Sequence, residues 1–288
     1  MDMALEIKNL RKEYKSFTLK DVSFSLPQGF IMGLVGPNGA GKTTIIKLIM
    51  NLIRRNAGEV KVFGLDNLKG EAEIKSRLGF VHETPSFFED ISLKDIKAAV
   101  SLFYKRWDEK LFRSLIVEFG LPLEKKFKKL SHGMKMKFSL ALALSHDADF
   151  LILDEPTSGL DPVFRRELLE RLSGLIQNER KSILFSTHIT SDLERTADYI
   201  TLINHGEIVF SLPKDDVRER WGIVKGGKEL LAESYRKLFQ SIHETSFGVE
   251  ALTLDISAAR RVLPAGAVID RASIEDIMIF MDKGDVRA

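Results

Sequence analysis

The stretch Gly36-Pro37-Asn38-Gly39-Ala40-Gly41-Lys42-Thr43-Thr44 decides how this chain is read. It follows the apolar run Ile31 to Val35 and opens a helix-patterned run at Lys42. Glycine lacks Cβ and tolerates positive φ, so a backbone rich in it can wrap closely around phosphate oxygens. In a strand-to-helix turn the wrapped N–H groups form an anion nest at the helix N-terminus. At this spacing Lys42 reaches the β- and γ-phosphates of a polyphosphate, and the Thr43 hydroxyl ligates Mg²⁺. Residues Gly36 to Thr44 are therefore candidate nucleotide-binding residues.

Downstream, Phe150-Leu151-Ile152-Leu153-Asp154-Glu155 is an apolar strand ending in two carboxylates. Unpaired carboxylates at the end of a buried strand are costly unless a cation neutralises them. A phosphate-bound Mg²⁺ would supply that charge, with Asp154 in its shell. Glu155 would accept a proton from, or orient, an attacking water.

The wider composition excludes several classes. The chain has 288 residues, a formal charge of +2 and no cysteine. That length suits one large α/β domain with a smaller appendage. The near-balanced charge gives no electrostatic case for nucleic acid as a partner, and without cysteine there is no disulfide or thiol chemistry. Met1-Asp2-Met3-Ala4 lacks the pattern of a signal peptide. No apolar run approaches the ~20 residues of a membrane span.

Strand-like and helical runs alternate through about residue 210, which predicts a mixed, largely parallel sheet. Expected strands are 5–9, 22–26, 31–35, 59–63, 78–81, 150–153, 182–186 and 199–204, with a last one at 208–211. Residues 85–145 read as helical: Ser92 caps a helix with Leu93, Ile96, Val100 and Phe103 on one face. A second helix, 108–119, stops at Gly120. The basic run Lys125 to Lys129 reads as a solvated loop. Leu212-Pro213 separates a domain at 1–212 from an extension at 213–288. In the extension a charged helix-like stretch (229–240), strands near 249–254 and 267–269 and a closing helix (274–281) are expected.

With these motifs in place the chain resembles the ATP-binding subunit of an ABC transporter. Thr157-Ser158-Gly159-Leu160-Asp161 matches that family's D-loop, and Thr187-His188 its switch histidine. Leu130-Ser131-His132-Gly133-Met134 stands in the place of the signature motif, and Tyr14 where the family stacks an aromatic on adenine. The resemblance implies a P-loop NTPase core with an N-terminal antiparallel β part, a helical subdomain and a small C-terminal α+β appendage. It implies ATP and Mg²⁺ as ligands, with Glu155 and His188 catalytic and Thr43, Glu83 and Asp154 at the metal. Tyr14, Ser131, Gly133 and Asp161 join the phosphate loop as nucleotide-binding residues, the signature residues acting on ATP held by a second chain. The implied partners are a like subunit, as homo- or heterodimer, and integral membrane permeases, with no nucleic acid. The implied place is the cytoplasmic face of the membrane, and the tail is similar to those of short, exporter-like bacterial subunits. A clamp or switch acting on ribosomes, DNA or proteins is the alternative, as is a weakly hydrolysing nucleotide sensor.

Two positions depart from the family pattern. His132 replaces a glycine, at an expected cost of about 1 kcal/mol if that position needs positive φ. Glu83 stands where glutamine is usual. Beyond it, Phe87-Phe88-Glu89-Asp90 suits a permease-docking surface; the two aromatics fit either an interface or burial in the helical part.

Overall fold

Buried and exposed residues mix along the first two strands, β1 (Met3–Glu13) and β2 (Thr18–Pro27), with clean alternation at Val22, Phe24 and Leu26 and bulges interrupting it in β1, as expected where one face of a sheet is covered. The chain continues through β3 (Ile31–Val35), α1 (Lys42–Ile49), β4 (Ala57–Val62), β5 (Leu65–Asp66), α2 (Glu71–Arg77) and β6 (Leu78–Val81). A helical segment follows: α3 (Leu93–Ser101), α4 (Glu109–Glu118) and α5 (His132–Leu144). The return runs β7 (Phe150–Asp154), α6 (Pro162–Leu175), β8 (Ser182–Thr187), α7 (Thr190–Thr196), β9 (Tyr199–Asn204) and β10 (Glu207–Pro213). This computed structural model describes residues 2–177 and 181–282. It divides into two compact units, one ending at Ile208 and one beginning at Val209, so the division falls within β10.

In the first unit, β2-β1-β4-β5 form an antiparallel sheet. A second sheet has the order β10-β9-β3-β8-β7-β6, and β9, β3, β8, β7 and β6 run parallel. Every residue of β3, β7 and β8 is buried, which is why their apolar residues run consecutively instead of alternating with exposed ones. One core joins the two sheets through α1: Ile45 and Ile46 meet Leu5 and Val60 from one sheet and Leu34 and Ile152 from the other.

The parallel register matters most for the site. Val35 lies opposite Thr187, Asp154 opposite Ser186, and Val81 opposite Leu153. The segments that leave β3, β6, β7 and β8 therefore emerge along one edge of the sheet, the usual place for a ligand in an open parallel sheet.

In the helical segment Ser92 caps α3, accepting from the Asp95 N–H at 3.2 Å. Leu93 and Ile96 are buried. Phe103, expected on the same face, is 80% exposed, because α3 ends at Ser101 and the periodicity breaks before it. Within the basic run, Phe127 is buried while Lys126 and Lys128 pair with Asp90.

The second unit contains α8 (Lys214–Arg220), β11 (Gly222–Gly226), α9 (Glu233–Arg236), β12 (Ser241–Thr245), β13 (Gly248–Thr253), α10 (Ile256–Val262), β14 (Val268–Arg271) and α11 (Ile274–Asp282). Its antiparallel sheet has the order β12-β13-β11-β14, the split-βαβ order of ferredoxin-like units. The stretch expected as one helix over 229–240 is instead a 3₁₀ turn, Lys228–Leu231, followed by the short α9. Leu230, Leu231 and Phe239 all turn into the core around Val224 and Ala251. One continuous helix would spread those three side chains over opposite faces.

Candidate functional site

At the edge defined by the parallel register lies a cleft of about 490 Å³. The phosphate loop lines it through Asn38, Gly39, Gly41, Lys42, Thr43 and Thr44. The backbone conformation of the loop explains its glycines. Gly39 and Gly41 hold φ of 82° and 116°. A Cβ on Gly36 would lie 2.1 Å from the Ile203 carbonyl oxygen, so this glycine is demanded by close approach to β9. The Gly206 N–H donates to the Ala40 carbonyl at 3.1 Å and pins the loop to the turn after β9. Gly41 caps α1 with no side-chain acceptor, leaving the first N–H groups of that helix without a side-chain partner.

Lys42 is nearly buried and folded back on its own loop. Its Nζ donates to the carbonyls of Gly36 at 2.8 Å and Pro37 at 3.3 Å and pairs with Glu155 Oε1 at 3.3 Å. Glu155 follows β7 with φ of 48°, a left-handed conformation that costs a non-glycine residue about 1–2 kcal/mol. Bonds on both sides hold it there. Its N–H donates to Ser186 Oγ at 3.0 Å, and its Oε2 meets His188 Nδ1 at 2.9 Å and the His188 N–H at 3.3 Å. A carboxylate is thus fixed between a lysine and a histidine, all three lining the cleft.

The residues at Asp154 fit a divalent cation. Oδ1 accepts from Ser186 Oγ at 2.7 Å and Thr43 Oγ1 at 3.3 Å. Oδ2 is buried and has no hydrogen-bond partner. An orphaned carboxylate oxygen beside a hydroxyl suits a hard, oxygen-seeking ion. Among the described residues no three His, Cys, Asp or Glu side chains gather as a metal site. A cation here would therefore take most of its oxygens from phosphate and water. Glu83 also lines the cleft, on the segment after β6.

Tyr14 does not line the cleft, whereas Phe17 does. The Tyr14 N–H donates to the Phe17 carbonyl at 2.8 Å in the turn between β1 and β2. That turn brings Phe17 over the loop, where a Cβ on Gly41 would meet its Cζ at 2.8 Å. Tyr14 remains 45% exposed, its ring centroid 6.4 Å from that of Phe17 and 5.2 Å beneath Lys12 Nζ.

Ser131, Gly133 and Asp161 lie elsewhere in the single chain. They line a separate concavity of about 410 Å³ with His132, Lys137 and Gly159. Ser131 caps α5, accepting from the Met134 N–H at 3.3 Å. Asp161 caps α6, accepting from the Phe164 N–H at 3.0 Å, and that backbone hydrogen bond holds its carboxyl below the ordinary value. His132 is the first residue of α5 and is not among the positive-φ residues, so the expected cost of replacing glycine does not arise. Its ring lies where a Cβ on Gly159 would come, 3.0 Å from Cδ2.

Residues 19–158 match the family described as ABC transporter. The chain is 33% identical over 226 residues to the bacitracin transport ATP-binding protein BcrA of Bacillus licheniformis, covering 76% of this chain and 73% of BcrA. This chain belongs to the ABC transporter ATP-binding proteins. The lantibiotic transport ATP-binding protein SrtF of Streptococcus pyogenes is also 33% identical, over 214 residues, covering 73% of this chain and 91% of SrtF. A solved ATP-binding subunit of an ABC transporter superposes with a TM-score of 0.67 at 30% identity, covering 75% of this chain and 92% of the other. The α/β core with its antiparallel N-terminal sheet is thus the ABC ATP-binding fold. No helix among the described residues is long and apolar enough to cross a membrane.

Within this ABC ATP-binding subunit, the sequence left three site residues unassigned. Ser158 and Phe17 line the cleft. Ser186 bridges the Asp154 carboxylate and the Glu155 N–H. A serine directly after the apolar run Ile183-Leu184-Phe185 was the available signal for Ser186. For Phe17 there was only its being the second aromatic in the run Tyr14-Lys15-Ser16-Phe17.

Proposed function

We propose that this ABC subunit binds and hydrolyses ATP with Mg²⁺, and that ATP clamps two chains together to drive transport by a membrane permease. The observation that carries the hydrolytic step is the Glu155 carboxylate held between Lys42 and His188. On this reading Lys42 leaves the loop carbonyls for the phosphates, and Glu155 orients water for in-line attack on the γ-phosphate. His188 holds the carboxylate and the terminal phosphate in register. Thr43 and Asp154 would hold Mg²⁺, which neutralises charge on the phosphates, and Glu83 would bear on its waters. Phe17, rather than Tyr14, supplies the aromatic face on the adenine side.

Ser131, Gly133 and Asp161 serve the ATP of a second copy, which accounts for their standing apart from Lys42 in one chain. An apolar groove supports the membrane-partner reading. It measures about 440 Å³ and is lined by Leu78, Phe80, Pro85, Phe87 and Val100, with Phe88 80% exposed on the same segment. Phe87 itself packs edge-on to Phe127 and Phe138, at 5.3 and 5.9 Å. A helix from a permease loop fits such a groove, and the chain would then sit peripherally at the cytoplasmic face of the membrane. The relatives' names speak of bacitracin and lantibiotic transport, and this chain would serve transport of that general kind.

Phosphate release from ATP by the purified chain tests the reading. The parent is expected to turn over only with Mg²⁺, and Lys42→Ala to lose both turnover and nucleotide binding by calorimetry. Equal turnover by Lys42→Ala would refute it.

A further inference from the structure

On that reading of the cleft, we infer that Asp192 is a positioning residue that couples His188 to the loop walling the second concavity. Asp192 is 1% exposed, lies in α7 just after His188, and touches neither concavity. Its two oxygens are divided between the two ends of one loop. Thr157 Oγ1, buried just past Glu155, donates to Oδ2 at 2.7 Å. Arg165 Nε donates to Oδ1 at 2.8 Å, with Nη2 2.7 Å from the same oxygen. Arg165 Nη2 also donates to Ser191 Oγ at 3.0 Å. Arg165 stands in the first turn of α6, its N–H bonded to the Asp161 carbonyl at 2.9 Å.

The clasp therefore grips Thr157 at one end of the loop and the Asp161 turn at the other. Between those grips lie Gly159 and Leu160, which line the second concavity with Ser131 and His132. On the other side, α7 begins two residues after His188, and the Ile189 N–H between them is fixed by Thr187 Oγ1 at 2.9 Å. The Asp192 carboxylate is buried although Arg165 is 28% exposed, so the charge-assisted bonds at that carboxylate have few alternative partners. Movement of the His188 segment when γ-phosphate binds or leaves must then be carried to Gly159 and Leu160. Those residues face the second copy, so each chain's own ATP biases the surface offered to the other's.

The test uses the full-length chain with Asp192→Asn, Thr157→Val and Asp192→Glu, reading phosphate release across an ATP titration. The parent is expected to show a Hill coefficient of about 2, one closing event using two sites. Asp192→Asn and Thr157→Val are expected to bring it to ~1 and to lower kcat about tenfold, with half-saturating ATP unchanged within about twofold. Asp192→Glu, which keeps the charge and both acceptors, is expected to retain cooperativity. Thr157→Val is nearly isosteric and keeps the Arg165 pair, so it decides the matter even where Asp192→Asn fails to fold. A loss of kcat with an unchanged Hill coefficient would mark Asp192 as merely structural and overturn the inference. So would a non-cooperative parent, or variants indistinguishable from it. A parent that releases no phosphate overturns the proposed function and the inference with it.

Discussion

Replacing Glu155 by Gln separates the charge of that side chain from its shape. The carboxylate lies 3.3 Å from Lys42 Nζ and 2.9 Å from His188 Nδ1, and its side chain is 7% exposed. With a terminal phosphate about 5 Å away and an effective dielectric near 20, one removed negative charge relieves roughly 3 kcal/mol of repulsion. Lys42 is also released from its ion pair. ATP should therefore bind at least about tenfold more tightly, a change of about 1.4 kcal/mol. Turnover should fall by roughly 10²–10⁴-fold, the usual worth of a positioned base. Without ATP, Lys42 keeps its two carbonyl acceptors but loses its counter-ion, costing about 2 kcal/mol, or a melting temperature lower by about 4–8 °C. Saturating ATP should erase that deficit. Calorimetry, phosphate release and melting with and without ATP read the three effects, and size-exclusion chromatography with ATP should show a trapped dimer. Parental turnover, or weaker ATP binding, would refute the assignment of Glu155.

Three further outcomes follow from particular contacts. Phe17→Ala should weaken ATP binding by about 1–2 kcal/mol, while Tyr14→Ala should change it by less than about 0.5 kcal/mol; titration calorimetry compares them. Gly36→Ala should destabilise the chain by about 2–3 kcal/mol, because its Cβ meets the Ile203 carbonyl. Gly39→Ala, with open space but φ of 82°, should cost about 1 kcal/mol; urea midpoints separate the two. Burial lowers His146 from 6.5 to about 4. Between those values the unfolded chain binds the proton and the folded chain does not, so stability rises with pH across that window. The loss from pH 7 to pH 5 should be about 2 kcal/mol, and His146→Leu should remove that part of the pH dependence.

Much of the site was legible because its chemistry is local in sequence. A glycine-rich turn between an apolar strand and a helix, two carboxylates ending a buried strand, and a histidine after another are each complete within a few residues. The register of β3, β7 and β8 then brings Lys42, Glu155 and His188 together. Other features were not local. Tyr14 and Phe17 are equivalent as aromatic residues, and only the turn between β1 and β2 selects Phe17 for the cleft. Whether His132 needs positive φ depends on where α5 begins. The stretch 229–240 has helical composition, yet Leu230, Leu231 and Phe239 must share one small core.

By itself the sequence pointed to the chemistry proposed for this chain, since the phosphate loop, Asp154-Glu155 and His188 suggest it in their residue types and immediate neighbours. The tertiary structure alone decided which side chains act together. Parallel strand order sets which loop ends share an edge, and the Asp192 clasp joins residues far apart along the chain. Such contacts depend on the register of the packed sheet, a property that no short window of sequence contains.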